Sequence, residues 1–175
     1  MEPNQANAKR EKTVAHSIVA GWGRHILAVL VAFTCLSIDL FTKAWARSYL
    51  PENESLPFLP SLLKLTRVTN TGAAFSLGHG NGQAVAIISS LVFVGLLAWS
   101  IKRYRSEDRP LLEEIGIAMV LGSAFGNLLE RYYFGRVTDF LEFQFIHFPI
   151  FNVADVLIDV GIGLILITML GKKDG

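Results

Sequence analysis

Four stretches of this chain are long, apolar and nearly free of charge. Each approaches the roughly 20 residues that a helix needs to cross the hydrocarbon core of a bilayer. They run over about 25–46, 83–101, 112–132 and 152–171. Gln83 to Ile101 contains no charge, and the third run has an uncharged centre, Ile115 to Leu129, between Glu113, Glu114, Glu130 and Arg131. The first run carries Asp39 and Lys43, and the last carries Asp155 and Asp159. The expected architecture is a membrane all-α fold of four transmembrane helices, with a small extracytoplasmic β-rich element drawn from residues near 50–75 and 135–150.

Only 18% of the 175 residues are charged, against about 25% in a soluble domain. A formal charge of +1 gives no basis for nucleic acid as a partner. Cys35 is the single cysteine, so no disulfide framework can form within the chain. Residues 1–22 are mixed and partly polar. They lack the basic start, short apolar core and small-residue cleavage site of a secretory signal, and are read as an uncleaved, disordered tail. The chain thus divides into a tail over 1–24, a membrane domain over 25–171 and a short tail over 172–175.

Lysine and arginine counts orient the spans. Lys9, Arg10, Lys12, Arg24, Lys102, Arg103, Arg105, Arg109, Lys172 and Lys173 fall on one side. Arg47, Lys64, Arg67 and Arg136 fall on the other. Both termini are expected in the cytoplasm, with loops 47–82 and 133–151 outside. In the first loop, Pro51, Pro57 and Pro60 break helix, Leu62 to Val68 reads as a strand, and Asn70-Thr71-Gly72 and Gly78 to Gly82 read as turns. The second loop is aromatic, with Phe134, Phe140, Phe143, Phe145, Phe148 and Phe151 around Glu142, Gln144 and His147. Such a loop is expected to lie at the lipid interface or to cover a groove that opens to lipid.

Polar groups at membrane depth are costly and need a reason. With this topology, Asp39 and Lys43, Asn70, Asn127 with Glu130 and Arg131, Asp139, and Asn152 with Asp155 and Asp159 come to the outer face from five segments. The cytoplasmic halves show no such set. Asp39 and Lys43, four apart on one face, either pair with each other or also shape a site. Glu130 and Arg131 form a helix-end charge cluster, or Arg131 faces a carboxylate. Asn127 and Asn152 serve helix packing or the site. Asp159, one turn from Asp155, is a candidate partner to it, and His147 is read as an interfacial side chain. Ala118, Gly122 and Gly126 form a small-residue stripe for close helix packing. No His-x-x-x-His pair, Gly-x-Ser-x-Gly elbow, serine–lysine pair or cysteine with a base is present. What remains for hydrolysis is carboxylates. Two that share a site hold one proton between them, so one activates water while the other donates to the substrate carbonyl, without a cofactor or metal.

Asp39-Leu40-Phe41-Thr42-Lys43, Asn70-Thr71-Gly72-Ala73-Ala74-Phe75-Ser76, Gly126-Asn127-Leu128-Leu129-Glu130-Arg131, Val137-Thr138-Asp139-Phe140 and Phe151-Asn152-Val153-Ala154-Asp155 stand in this order. Together they resemble the signature blocks of the bacterial lipoprotein signal peptidases, also called signal peptidase II. Val156 departs from the serine that many members have there. The resemblance implies an aspartic endopeptidase of the bacterial plasma membrane. It would cut diacylglyceryl-modified prolipoproteins just before the lipidated cysteine and take globomycin-type inhibitors at the same site. It implies Asp139 and Asp155 as the catalytic pair, supported by Asp39, Lys43, Asn70, Gly72, Asn127, Arg131 and Asn152. Membrane lipids are the surroundings, the chain is expected to act as a monomer, and one or both outer loops are expected to shield the pair as a lid. The rivals are a small proton-coupled transporter relaying through Asp39 and Asp155, and a non-catalytic assembly factor.

Overall fold

Lipid offers no partner for backbone N–H and C=O groups, so an uncharged run that spans it must close its hydrogen bonds internally as a helix. The computed structural model describes residues 3–72, 82–104 and 109–171. It folds the four apolar runs into α1 (Pro3–Tyr49), α2 (Gly82–Tyr104), α3 (Leu111–Phe134) and α4 (Val153–Gly171). Each contains a stretch long and apolar enough to cross a membrane: Trp22–Tyr49, Gln83–Tyr104, Leu111–Phe134 and Val153–Gly171. One expectation is corrected. Residues 3–22, expected to be disordered, are helical, because α1 begins at Pro3. Residues 5–12, Gln-Ala-Asn-Ala-Lys-Arg-Glu-Lys, are mostly strong helix formers and extend the helix that the span nucleates. The turn expected over Gly78 to Gly82 lies outside the described residues up to position 81.

Large apolar side chains such as Phe33, Phe41, Leu91, Val94, Leu166 and Leu170 point outward. Lipid tails are as apolar as these side chains, so burying them between helices gains little. The bundle must be held by close packing and polar contacts instead. Both converge on α3, against which α1, α2 and α4 all pack. Three α3 glycines make the approach possible. A Cβ on Gly122 would collide with the Ala32 backbone of α1, and one on Gly126 with the Asp39 carboxylate. Gly116 faces Gly161 of α4, where a Cβ would lie 2.6 Å from the opposite carbonyl oxygen. The Ala118-Gly122-Gly126 stripe is therefore a packing seam, as its spacing suggests. α2 is held to α3 by the Phe93–Phe125 ring contact and the Ser90–Tyr132 hydroxyl pair.

At one end of the bundle, β1 (Ser55–Leu59), β2 (Leu63–Asn70) and β3 (Val137–Phe143) form an antiparallel sheet in the order β1-β2-β3. Pro57 falls in the edge strand β1, where a missing N–H is tolerated. α3 stops at Gly135, whose left-handed φ of 68° lets its N–H bond Arg131 O, and the chain turns directly into β3. Ala46, Leu50, Leu65 and Phe140 form a small core that seats the sheet on the end of α1. The aromatic loop divides: Phe140 is buried, whereas Phe145, Ile146 and Phe148 are exposed. Phe143 packs against Phe145, Phe148 and Phe151, and a Leu141–Phe151 bridge ties the loop back to β3.

A buried charge cluster joins sheet to bundle. Glu130 is only 2% exposed. It accepts from Arg47, from the Thr138 N–H at 2.7 Å and from the Thr138 hydroxyl at 3.1 Å. Lys43, fully buried, lies 3.8 Å from the same carboxylate and 2.7 Å from Asp39. One residue on α3 thus fixes both α1 and β3. The opposite end of the bundle, expected to lack such groups, has its own set. Buried Glu114 pairs with Arg24 at 2.8 Å and Arg109 at 2.6 Å, and Glu113 takes a two-pronged contact from Arg103. These carboxylates and arginines stand at the ends of the apolar runs and in the link between them, so the sequence pattern does not mark them as groups at membrane depth.

Two outcomes are expected. Gly122→Ala forces α1 off α3 and lowers stability by about 1–3 kcal/mol, read as a lower thermal midpoint in detergent; an unchanged midpoint would contradict the close approach. Glu130→Ala removes the acceptor of Arg47 and of the buried Thr138 N–H and leaves a void. It costs about 1–3 kcal/mol, and the same measurement checks it against Glu130→Gln, which keeps an acceptor for the Thr138 N–H and loses less.

Candidate active site

The sheet and the first turn of α4 bring two aspartates together. Asp139 is the third residue of β3, on the face opposite Thr138, and is 3% exposed. Asp155 lies in the first turn of α4 and is partly exposed. Asn152 connects them. Its side-chain oxygen accepts from the Asp155 N–H at 3.2 Å, while Asp155 Oδ2 accepts from the Asn152 N–H at 3.0 Å. This reciprocal capping box starts the helix. The Asn152 amide group then has its two N–H donors free. One goes to Asp139 Oδ1 at 2.6 Å and one to Asn127 Oδ1 at 3.2 Å.

Two further asparagines complete the cradle. Asn70, at the end of β2, donates to Asp139 Oδ2 at 2.9 Å, and its own oxygen is fixed by the Gly72 N–H at 2.9 Å. Asn127 on α3 donates to Asp155 Oδ1 at 3.0 Å. Its orientation is set by Lys43, whose ammonium donates to Asn127 Oδ1 at 2.6 Å. Because an ammonium can only donate, the amide must turn its oxygen to Lys43 and its NH₂ to Asp155. Asp39 does not touch the aspartate pair; it neutralises Lys43. Arg131 donates to Asn127 O at 3.4 Å and Gly72 O at 3.3 Å, and its buried Nε has no partner among the described residues. Its charge acts on both aspartates.

Burial raises the Asp139 carboxyl to about 6, and the neighbouring Asp155 charge adds to the rise, while the Asn70 and Asn152 donors oppose it. A carboxyl so placed keeps a proton well above the ordinary carboxylate range. The pair therefore has one deeply buried member inclined to hold a proton and one partly exposed member.

All nine site candidates are thus in one connected set: the two aspartates, the three asparagines, Gly72, Arg131, and the Asp39–Lys43 pair behind them. Positions 73–76 of the Asn70–Ser76 block lie outside the described residues. Asp159, considered as a partner to Asp155, is exposed and makes no hydrogen bond or ion pair among the described residues. His147 lines a cavity of about 710 Å³ with Lys64, Glu142 and the aromatic loop, beside the sheet and away from the aspartates. Sequence reasoning gave too little weight to Glu130 and missed Arg47 and Thr138. Their signals were present: Asp39, Lys43 and Arg47 recur every four residues on one helical face, and Thr138 alternates with Asp139 along the strand.

A family model described as signal peptidase (SPase) II matches residues 31–171. A lipoprotein signal peptidase from Gloeobacter violaceus is 40% identical over 144 residues, covering 82% of each chain. One from Brevibacillus brevis is 36% identical over 147 residues, covering 83% of this chain and 97% of the relative. A solved bacterial membrane enzyme superposes with a TM-score of 0.73 at 26% identity, covering 84% of this chain and 89% of that one. The matched region includes every residue of the aspartate–asparagine cradle, and the chain belongs to the signal peptidase II family.

Proposed function

We propose that this chain is a membrane aspartic endopeptidase that removes the signal peptide from diacylglyceryl-modified prolipoproteins by cutting before the lipidated cysteine. Membership of a peptidase family supports proteolysis, and the names of the relatives support the substrate. The observation that carries the aspartic mechanism is the coupling of Asp139 and Asp155 through Asn152. Asp155, the more accessible carboxylate, takes a proton from a water as its oxygen attacks the scissile carbonyl. Asp139 donates its proton to the carbonyl oxygen. As the tetrahedral intermediate collapses and its C–N bond breaks, Asp155 gives its proton to the leaving cysteine nitrogen and Asp139 recovers one from the intermediate's hydroxyl, which restores the pair. Arg131, whose buried Nε–H is unused among the described residues, and the asparagine amides orient the carboxylates and the intermediate.

In this reading the protein lies in the bacterial plasma membrane with both termini cytoplasmic and the sheet end outward, as the lysine and arginine counts favour. The lipid chains of the substrate then stay in the bilayer while its cut site meets the pair. Globomycin-type cyclic peptides would compete for that place. The transporter alternative gains no support, since Asp39 is locked to Lys43 at 2.7 Å.

Asp139→Asn and Asp155→Asn should each reduce cleavage of a purified diacylglyceryl prolipoprotein by at least about a thousandfold with the thermal midpoint near that of the parent. Cleavage persisting in both would sink the mechanism. The raised Asp139 carboxyl sets the pH dependence: it is protonated below about 6 and loses that proton above it. kcat/KM for the free enzyme should therefore fall as pH rises through about 6, and a limb that rises through that pH would reverse the two roles.

A further inference from the structure

The end of the bundle away from the aspartates carries a groove that peptide cleavage does not use. It holds about 260 Å³, with Ala28 and Ala32 of α1 and Ala118 and Leu121 of α3 along its length. His25 and Tyr104 stand at its head, their rings 5.9 Å apart and edge to face. Ala32 lies seven residues beyond His25, so the groove runs about 10 Å into the span. Three short alanine side chains leave the space, and exposed Ile26, Val29 and Leu30 mark this stretch of α1 as facing lipid. Below the two rings the groove is apolar. Water finds no hydrogen-bond partners there, and an empty furrow would forfeit dispersion contacts. A stretch of acyl chain fits it. A partner helix, about 10–12 Å across, would bridge it and leave it empty.

The head of the groove is basic. Arg24 and Arg109 share Glu114, and Arg103 holds Glu113. Lys102 adds a further charge in the last turn of α2, so positive charge is in excess. Arg24, next to His25, is only partly committed. Its Nη2 donates to the Arg109 carbonyl at 2.6 Å and lies 2.8 Å from Glu114, whereas its buried Nε has no partner among the described residues. Its side chain is 35% exposed, within reach of a headgroup. Tyr104 is fixed in place, with Arg109 4.8 Å over its ring and its hydroxyl donating to the Glu114 carbonyl at 3.3 Å. The mouth of the groove is therefore preformed. We propose that it binds one anionic phospholipid, with the phosphate on Arg24 and one acyl chain along Ala28, Ala32, Ala118 and Leu121. Basic pockets between spans on the cytoplasmic side suit acidic headgroups, and the lysine and arginine counts favour that side for this end. The lipid sits where α1, α3 and the end of α2 meet, and so braces this end of the bundle.

The test titrates the full-length protein in detergent with phosphatidylglycerol or with phosphatidylcholine of the same acyl chains. Native mass spectrometry counts the bound lipids, and the thermal midpoint is followed beside it. The parent should bind one phosphatidylglycerol about tenfold more tightly than phosphatidylcholine, and its midpoint should rise. Arg24→Gln should bring the two lipids to equal affinity. Ala28→Leu, which fills the groove and leaves Arg24 in place, should weaken both, and it decides alone if Arg24→Gln does not fold. Lys64→Gln, at the opposite end of the bundle, should keep the parent's preference. Equal binding of the two lipids by the parent would overturn the inference. So would phosphatidylglycerol binding undiminished in Ala28→Leu, or a preference lost in Lys64→Gln, since overall charge would then be responsible.

Discussion

A single buried ammonium sets the polarity of everything around it. Lys43 is fully enclosed and donates to Asp39 and to Asn127, with Glu130 just beyond. Such a charge is tolerable in a bilayer only when its donors are filled. Filling them determines which way Asn127 faces, and thus that Asp155 receives an amide N–H. Glu130, drawn to the same cation, holds Thr138 and through it the strand that carries Asp139. Neither aspartate touches Lys43, yet the position of each traces back to it.

The rest of the architecture serves that arrangement. Glycines at 116, 122 and 126 allow α3 to approach its neighbours closely enough for short side chains to bridge helices. Asparagine is the shortest side chain with two N–H donors and an oxygen, so it joins a helix, a strand and a helix start where backbones lie near each other. A bulkier seam would separate the donors from the carboxylates. Small residues and amides are thus two parts of one solution to hydrogen bonding in lipid.

Much of this was legible in the chain. The four spans follow from long apolar runs, the strand near 62–68 from loose alternation after a proline cluster, and eight of the nine site candidates from polar residues that topology brings to one end, with Gly72 implied by the family resemblance alone. Other features left no local trace. The helical start of α1 competes with a composition that looks like a solvated tail. Glu113 and Glu114 read as charges at the end of a span until Arg103, Arg109 and Arg24 are brought over them by folding. Glu130 is adjacent to Arg131, which suggests a neighbour pair, whereas its carboxylate turns the other way to Arg47 and Thr138. In each case partner choice depends on tertiary approach, which the periodicity of one segment does not encode.

Among the described residues, the direct hydrogen bonds to the two carboxylates come from asparagine amides and a backbone N–H, and not from a cationic side chain. Amides neither gain nor lose protons in the range where carboxylates do. The cradle is therefore electrically inert: acidification or alkalisation changes the charge of what it holds and leaves the holder as it was. A site gripped by histidines would loosen and retune with each shift in its surroundings, whereas this one keeps its geometry and lets only the shared proton move.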